Sequence, residues 1–388
     1  MNKMYVVIVL VIVLVSGGLY VLVTGNPHPA VTTYFTYSKE DVASLKGLSS
    51  KATLTTDDLY RWDKIAFDTV SLEKRADIGG KAAKLNAYLA VAQRDFAFLS
   101  YTVSGSFSGN MDALSREIVC NFLQSFCAQV PPAAIPDTYS TALGKLVLEK
   151  VKARMQEDAA GQKDYSIKTG KEYWDGPQPS TGIADGSNTT WFLSSGSQFR
   201  APPPPAVYGS EAFKQQLQIT EDALKNATPA QKRATVFWAG VPGTKTPIGQ
   251  ILDMGDTYMK EQGTPFRKAA LVRSVLAMGI ADAVTAVFDS KYTYLVRRPF
   301  MMDPSIVTIM PTPNHPSYPA GHSTLSTTGA IILSYYFPEA KDMWEAKTYE
   351  AGMSRIWGGI HYLMDHEAGV TLGDRVGATA IGAPSSRE

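Results

Sequence analysis

From Phe266 to Arg298 apolar residues recur at helical spacing, and the apolar side of that stretch carries two cations. Ile280, Val284, Val287, Tyr294 and Leu295 define the apolar face. Asp282, Thr285, Asp289, Thr293 and Arg297 fall on the opposite one. On an unbroken helix Lys291 and Arg298 stand roughly 10 Å apart along the axis. A cation directed into a core is costly unless something pairs with it, and Asp282 and Asp289 face the wrong way to do so. An external anion is the simplest partner. The alternative is a snorkelling Lys291 and an Arg298 that caps a helix stopped by Pro299.

Two further elements follow. In Asn314-His-Pro-Ser-Tyr-Pro-Ala-Gly-His-Ser323 the prolines and glycine forbid helix until His322, after which Ser323 to Phe337 reads as an apolar helix. His322 then stands at a helix N-terminus, where the Gly321 N–H is free to donate to an anion. Next come Ser354-Arg355, a Trp357-Gly358-Gly359 break, and His361 opening another helix with Asp365 four residues on. That spacing lets Asp365 bond one ring nitrogen of His361 and raise the basicity of the other. Such a group suits a nucleophile or a metal ligand. The pair is equally common on exposed helices, and a lone His322 is more often a capping or core residue. His366 points about 100° away around the helix and reads as peripheral.

The ordered triple K-x6-RP (Lys291 to Pro299), PAGH (Pro319 to His322) and SR-x5-H-x3-D (Ser354 to Asp365) resembles the signature of the phosphatidic acid phosphatase type 2 and vanadium haloperoxidase superfamily. The resemblance is densest from Phe237 to Gly377. Ala281 to Tyr292, Ser354 to His361, Phe237 to Pro247 and Gln198 to Pro204 are similar to its bacterial haloperoxidase-like branch. It implies an all-α fold, a helical-bundle pair with the site at helix ends in the second half. It also implies that Lys291, Arg298 and Arg355 neutralise the equatorial oxygens of vanadate or phosphate, with the Gly321 amide as a further donor. His361 is then the vanadate ligand or the phosphatase nucleophile, Asp365 its orienting group, and His322 the acid–base group.

The pattern is broken at Ala320, where the family has serine; a hydrogen bond to a charged group is worth on the order of 1.5–3 kcal/mol. Ser317 and Ser323 are the nearby hydroxyls. His315 lies where bromide- and iodide-preferring haloperoxidases resemble this chain, and chloride oxidisers tend to have Phe. The leading expectation is therefore a haloperoxidase-like enzyme that takes vanadate as cofactor and oxidises bromide or iodide with hydrogen peroxide. A phosphatase hydrolysing phosphate monoesters through a phosphohistidine, with no cofactor, is the alternative. A non-catalytic oxyanion-binding protein is the third.

The formal charge of +1 gives no nucleic-acid surface. Met4 to Val23 is an apolar run long enough to cross a bilayer, preceded by Lys3 and followed by no cation until Lys39. It reads as one N-terminal transmembrane helix, residues 1–25, that holds the rest outside the cytoplasm. A cleaved signal peptide and a secreted protein is the competing reading. Residues 38–388 follow as one helical domain. Its first half is 38–172, a Pro/Gly-rich connecting loop covers 173–208, and 209–388 carries the oxyanion site. A loop of that length is functional or wraps the surface. Cys120 and Cys127 lie seven apart in an apparent helix, Asp112–Gln129, roughly 10 Å from one another, which reads as two free buried thiols. No zinc-ligand spacing occurs.

Overall fold

The computed structural model describes residues 33–75 and 77–382 in full, and residues 9–15 and 18–24 as backbone. From residue 33 onward the regular elements are helices. The first half holds α1 (Lys39–Ser44), α2 (Thr56–Leu72), α3 (Ile78–Ser104), α4 (Asp112–Phe122) and α5 (Thr138–Gly161). The second holds α6 (Glu211–Lys225), α7 (Pro229–Phe237), α8 (Thr246–Glu261), α9 (Phe266–Tyr294), α10 (Pro299–Met302), α11 (Gly321–Tyr336), α12 (Lys341–Trp357) and α13 (Leu363–Ile381).

One hydrophobic core, from Leu45 to Val376, takes residues from both halves. Its axis is α9, which packs on α3 from the first half and on α8, α11 and α13 from the second. By length and composition α9 would cross a membrane, but 89% of its most apolar window is buried inside the protein. A charged cluster ties four helices deep in this core, with Arg273 on α9 at its centre. Arg273 Nε bonds Asp63 (2.7 Å) on α2 and Asp256 (3.1 Å) on α8, and Nη1 reaches Gln93 on α3.

The helix expected to run to Arg298 ends four residues sooner. Leu295 adopts a left-handed conformation (φ 53°) and its N–H caps the Lys291 carbonyl. Arg298 is extended, as the residue before proline must be, and Pro299 starts α10. Lys291 and Arg298 are therefore not two positions on one straight helix. The polar face of α9 is not a solvent face either. Residues 173–208 are strapped across it, and Asp282 accepts the backbone N–H groups of Trp191, Phe192 and Leu193 (2.7–3.0 Å). Asp289 pairs with Arg200 and takes the Tyr165 hydroxyl.

Small residues set the spacing that matters for the site. A Cβ on Gly369 would lie 2.6 Å from the Ala320 carbonyl, and one on Gly373 would lie 2.4 Å from that of Thr324. The two glycines, one turn apart on α13, thus let α11 press against it. The Ala320 N–H then bonds the Asp365 carbonyl (2.8 Å), joining the start of α11 to the first turn of α13.

Two expectations are corrected. Cys120 and Cys127 form a disulfide, with Cα atoms 4.8 Å apart. Helix α4 stops at Phe122 and a tight 3-10 segment, Gln124–Gln129, folds back beneath it, which closes the distance a straight helix would have kept open. Within the run read as a membrane-crossing helix, Val9–Val15 and Gly18–Thr24 pair as antiparallel strands, Val9 opposite Thr24 and Val15 opposite Gly18. The run is rich in β-branched Val and Ile and is broken by Gly17-Gly18, a composition that favours extended chain over helix.

Candidate active site

A cavity of about 360 Å³ opens between the start of α3, the α7–α8 connection, α9 and the loop before α11. Lys291, His315, Gly321, His322, Arg355 and His361 all line it. Arg298 is fully buried behind them, with Nη2 3.1 Å from His315 Nδ1 and Nη1 3.4 Å from His361 Nε2. Much of the remaining wall is apolar, including Ile78, Val241, Ile248, Val284, Phe288 and Leu325. Asp185, from the strap, is the one carboxylate among the lining residues.

His361 lies just ahead of α13 rather than in its first turn, and Asp365 is the third residue of that helix. A single oxygen, Asp365 Oδ2, gathers three donors: His361 Nδ1 (2.8 Å), Ser317 Oγ (2.5 Å) and the Tyr362 N–H (3.1 Å). His361 Nδ1 therefore carries the proton and Nε2 keeps its lone pair. Burial pushes the Asp365 carboxyl up to about 6, with Ser317 and Lys291 opposing that rise. The imidazole of His361 is pulled well below its ordinary range by burial and then by Arg298 and Lys291, so it is neutral at pH 7.

His322 is fixed by a different device. It sits in the first turn of α11, and its Nε2 is 2.7 Å from the Trp238 carbonyl just past α7. A carbonyl only accepts, so Nε2 donates and Nδ1 is the unprotonated nitrogen. Burial and Arg355 hold its pKa well down. An ideal Cβ on Gly321 meets nothing within 4 Å, so the backbone there borders open space.

Each cation is held in a distinct way. Lys291 Nζ donates to the carbonyls of Pro316 (2.9 Å), Ser317 (2.7 Å) and Pro319 (2.6 Å). Burial and Arg298 lower its pKa, yet only an ammonium has three N–H groups to fill three carbonyls. Arg298 Nε and Nη1 donate to the carbonyls of His315 (2.8 Å) and Ile360 (2.7 Å), and burial brings it to about 10. Arg355 is fixed by Ser354 Oγ (2.9 Å), the Thr235 carbonyl (2.7 Å) and Met310 Sδ (2.9 Å). Burial, then Arg298, brings Arg355 to about 9.

Three buried cations beside one carboxylate leave this end of the cavity with excess positive charge, which fits a bound oxyanion. Among the described residues no group of three His, Cys, Asp or Glu gathers as a metal-cation site. An anion such as vanadate is matched by charge and N–H donors plus a single imidazole, and those are present. Neither serine stands in freely for the missing hydroxyl at Ala320. Ser317 is committed to Asp365, and Ser323 Oγ pairs with His366 Nδ1 (2.9 Å). Sequence reading overlooked the carbonyls of Thr235 and Trp238 and the thioether of Met310. Backbone acceptors leave no trace in residue identity, and Met310 was one methionine among thirteen.

Residues 270–384 match the model of the PAP2 superfamily. An undecaprenyl-diphosphatase of Sulfolobus acidocaldarius is 29% identical over 30% of this chain and 57% of its own length. A non-specific acid phosphatase of Salmonella typhi is 27% identical over 46% of this chain and 70% of its own. The chain spans a little over half the length of the first two relatives it matches, 57% and 53%. In structure it is similar to a bacterial vanadium-dependent iodoperoxidase, with TM-score 0.70 and 17% identity over 87% of this chain and 98% of that one. A bacterial vanadium-dependent chloroperoxidase follows at TM-score 0.56 and 12% identity, over 89% and 95%. These likenesses establish the fold as that of the vanadium haloperoxidases.

Proposed function

We propose that this PAP2-superfamily domain is a vanadate-dependent haloperoxidase that oxidises iodide or bromide with hydrogen peroxide. The observation that carries the reading is the state of His322. It is neutral, with Nε2–H committed to the Trp238 carbonyl and Nδ1 left as a base. Activation of hydrogen peroxide asks for a group that accepts a proton, whereas expulsion of an alcohol from a phosphate ester asks for one that already holds it.

Arg298, Arg355 and the Gly321 N–H would hold the vanadate oxygens, Lys291, whose three N–H groups are filled by carbonyls, would add its charge, and His361 Nε2 would be the protein ligand. Vanadate, when bound, supplies the Lewis acidity that makes peroxide a better electrophile toward halide. The chain's own residues do the rest. Asp365 locks the His361 tautomer, so the lone pair stays on Nε2. Lys291 contributes charge and holds the 316–319 loop in place through three carbonyls. His322 Nδ1 takes a proton from hydrogen peroxide and returns it to the departing oxygen. The sum is halide plus hydrogen peroxide plus a proton, giving hypohalous acid and water.

Hydrolysis of phosphate monoesters by His361 Nε2 is the second reading, and the phosphatases among the sequence relatives favour it. We also propose that the domain works outside the cytoplasm. The Cys120–Cys127 disulfide belongs to an oxidising compartment, and the apolar N-terminal run suits export.

The sign of the vanadate effect separates the readings. Iodide and bromide oxidation and aryl phosphate hydrolysis are measured on the same protein with and without orthovanadate. Halide oxidation that rises with vanadate is expected. Ester hydrolysis that vanadate suppresses, with no halide turnover, would replace this reading by the second.

A further inference from the structure

We propose that Met310 is an oxidation site through which hydrogen peroxide weakens the protein's own grip on its oxyanion. The inference rests on the oxyanion reading above and on one contact. Of the three groups that fix the Arg355 guanidinium, two are oxygens: Ser354 Oγ on Nε and the Thr235 carbonyl on Nη2. The third, on Nη1, is the thioether of Met310 at 2.9 Å. A thioether is a weak acceptor, so Nη1 is the edge of Arg355 least committed to the protein and most available to an anion.

Met310 is well placed to be modified and to matter when it is. Its side chain is only 7% exposed, yet it lines the cavity into which the peroxide must come. Its methyl group is confined, since Cε is the nearest atom, at 2.8 Å, to a Cβ built on Gly358. The sulfur therefore stays beside Arg355 after it reacts. In the reaction the thioether sulfur attacks one peroxide oxygen. The S–O bond forms as the O–O bond breaks, sulfur gives up two electrons, and the other oxygen leaves as water once the protons redistribute. The product, a sulfoxide, carries a strongly dipolar oxygen in place of a weak acceptor. That oxygen competes with the anion for Nη1 by a charge-assisted hydrogen bond. Met343, 42% exposed, is not among the residues that line the cavity, so its modification leaves the site alone.

The test compares orthovanadate affinity, by equilibrium dialysis, before and after a limited hydrogen peroxide treatment, with peptide mapping by mass spectrometry on the same samples. The expected result is one added oxygen at Met310 and roughly tenfold weaker binding, the size of one hydrogen bond to a charged group. M310L, which has no sulfur to oxidise, should show the same affinity before and after treatment, and M310Q should bind weakly with no treatment at all. Met310 left unmodified while Met343 is oxidised would overturn the proposal. So would full oxidation at Met310 with unchanged affinity, or an affinity loss that persists in M310L. Absence of binding in the untreated protein is a separate result, which overturns the oxyanion reading and this proposal together.

Discussion

Replacing Asp365 by Asn isolates one interaction at the centre of the site. The amide keeps the shape of the carboxylate, and its oxygen still accepts from Ser317 and the Tyr362 N–H, which now stand at 2.5 and 3.1 Å. What is lost is the negative partner of His361 Nδ1, now at 2.8 Å. A hydrogen bond to a charged group contributes about 1.5–3 kcal/mol, or roughly a 10- to 150-fold effect. Loss of a group that orients a metal-bound histidine costs about 10- to 100-fold in other sites. Orthovanadate affinity of Asp365→Asn should therefore fall by about one to two orders of magnitude. The same logic sets a pH limb. With the carboxyl at about 6, wild-type affinity falls as pH drops through 6, and the variant lacks that limb. Stability should move the other way. The folded pKa lies above the ordinary 3.8, so the stability its protonated form contributes is full below 3.8 and lost as pH rises through about 6. The variant escapes that loss and should unfold no more easily than wild type at pH 7.5. Binding within twofold of wild type, or an unchanged pH limb, would refute the reasoning.

Other positions give independent checks. Ala320→Ser puts a hydroxyl at the N-cap of α11 beside the Gly321 amide, and orthovanadate should bind roughly tenfold more tightly; unchanged affinity would mean that hydroxyl does not reach the anion. Asp282→Ala strands the N–H groups of Trp191, Phe192 and Leu193. A loss of about 3 kcal/mol in urea unfolding and faster proteolysis within residues 173–208 should follow, and a loss below about 1 kcal/mol would show that the strap is held elsewhere. Cys120→Ser opens a loop of sequence separation seven and should cost about 2 kcal/mol, read from the urea midpoint; a midpoint that does not move would show the bond contributes nothing to stability.

The residues that face the cavity were legible in the sequence because their chemistry is unusual for their context. Lys291 on an apolar face, a glycine and a histidine where two prolines release the chain into a helix, and a His361–Asp365 pair are each visible as letters. Their support was not. The break at Leu295 depends on one left-handed residue that leucine seldom adopts, so a periodicity argument carries the helix on to Arg298. The fold-back that joins Cys120 to Cys127 replaces a helix with a 3-10 turn, a change of pitch that apolar spacing does not record. Asp282 and Asp289 look like a solvent face until a strap from nearly a hundred residues upstream lies over them. The three carbonyls on Lys291 belong to backbone, which every sequence supplies equally.

The most direct test of the whole account is iodide oxidation by wild type and His361→Ala, each loaded with orthovanadate and freed of excess by dialysis. Vanadate-dependent turnover in the wild type that is lost in the variant, together with its retained vanadate, is the predicted result. Turnover in the variant within twofold of wild type would place the chemistry elsewhere than at His361 Nε2 and contradict the account.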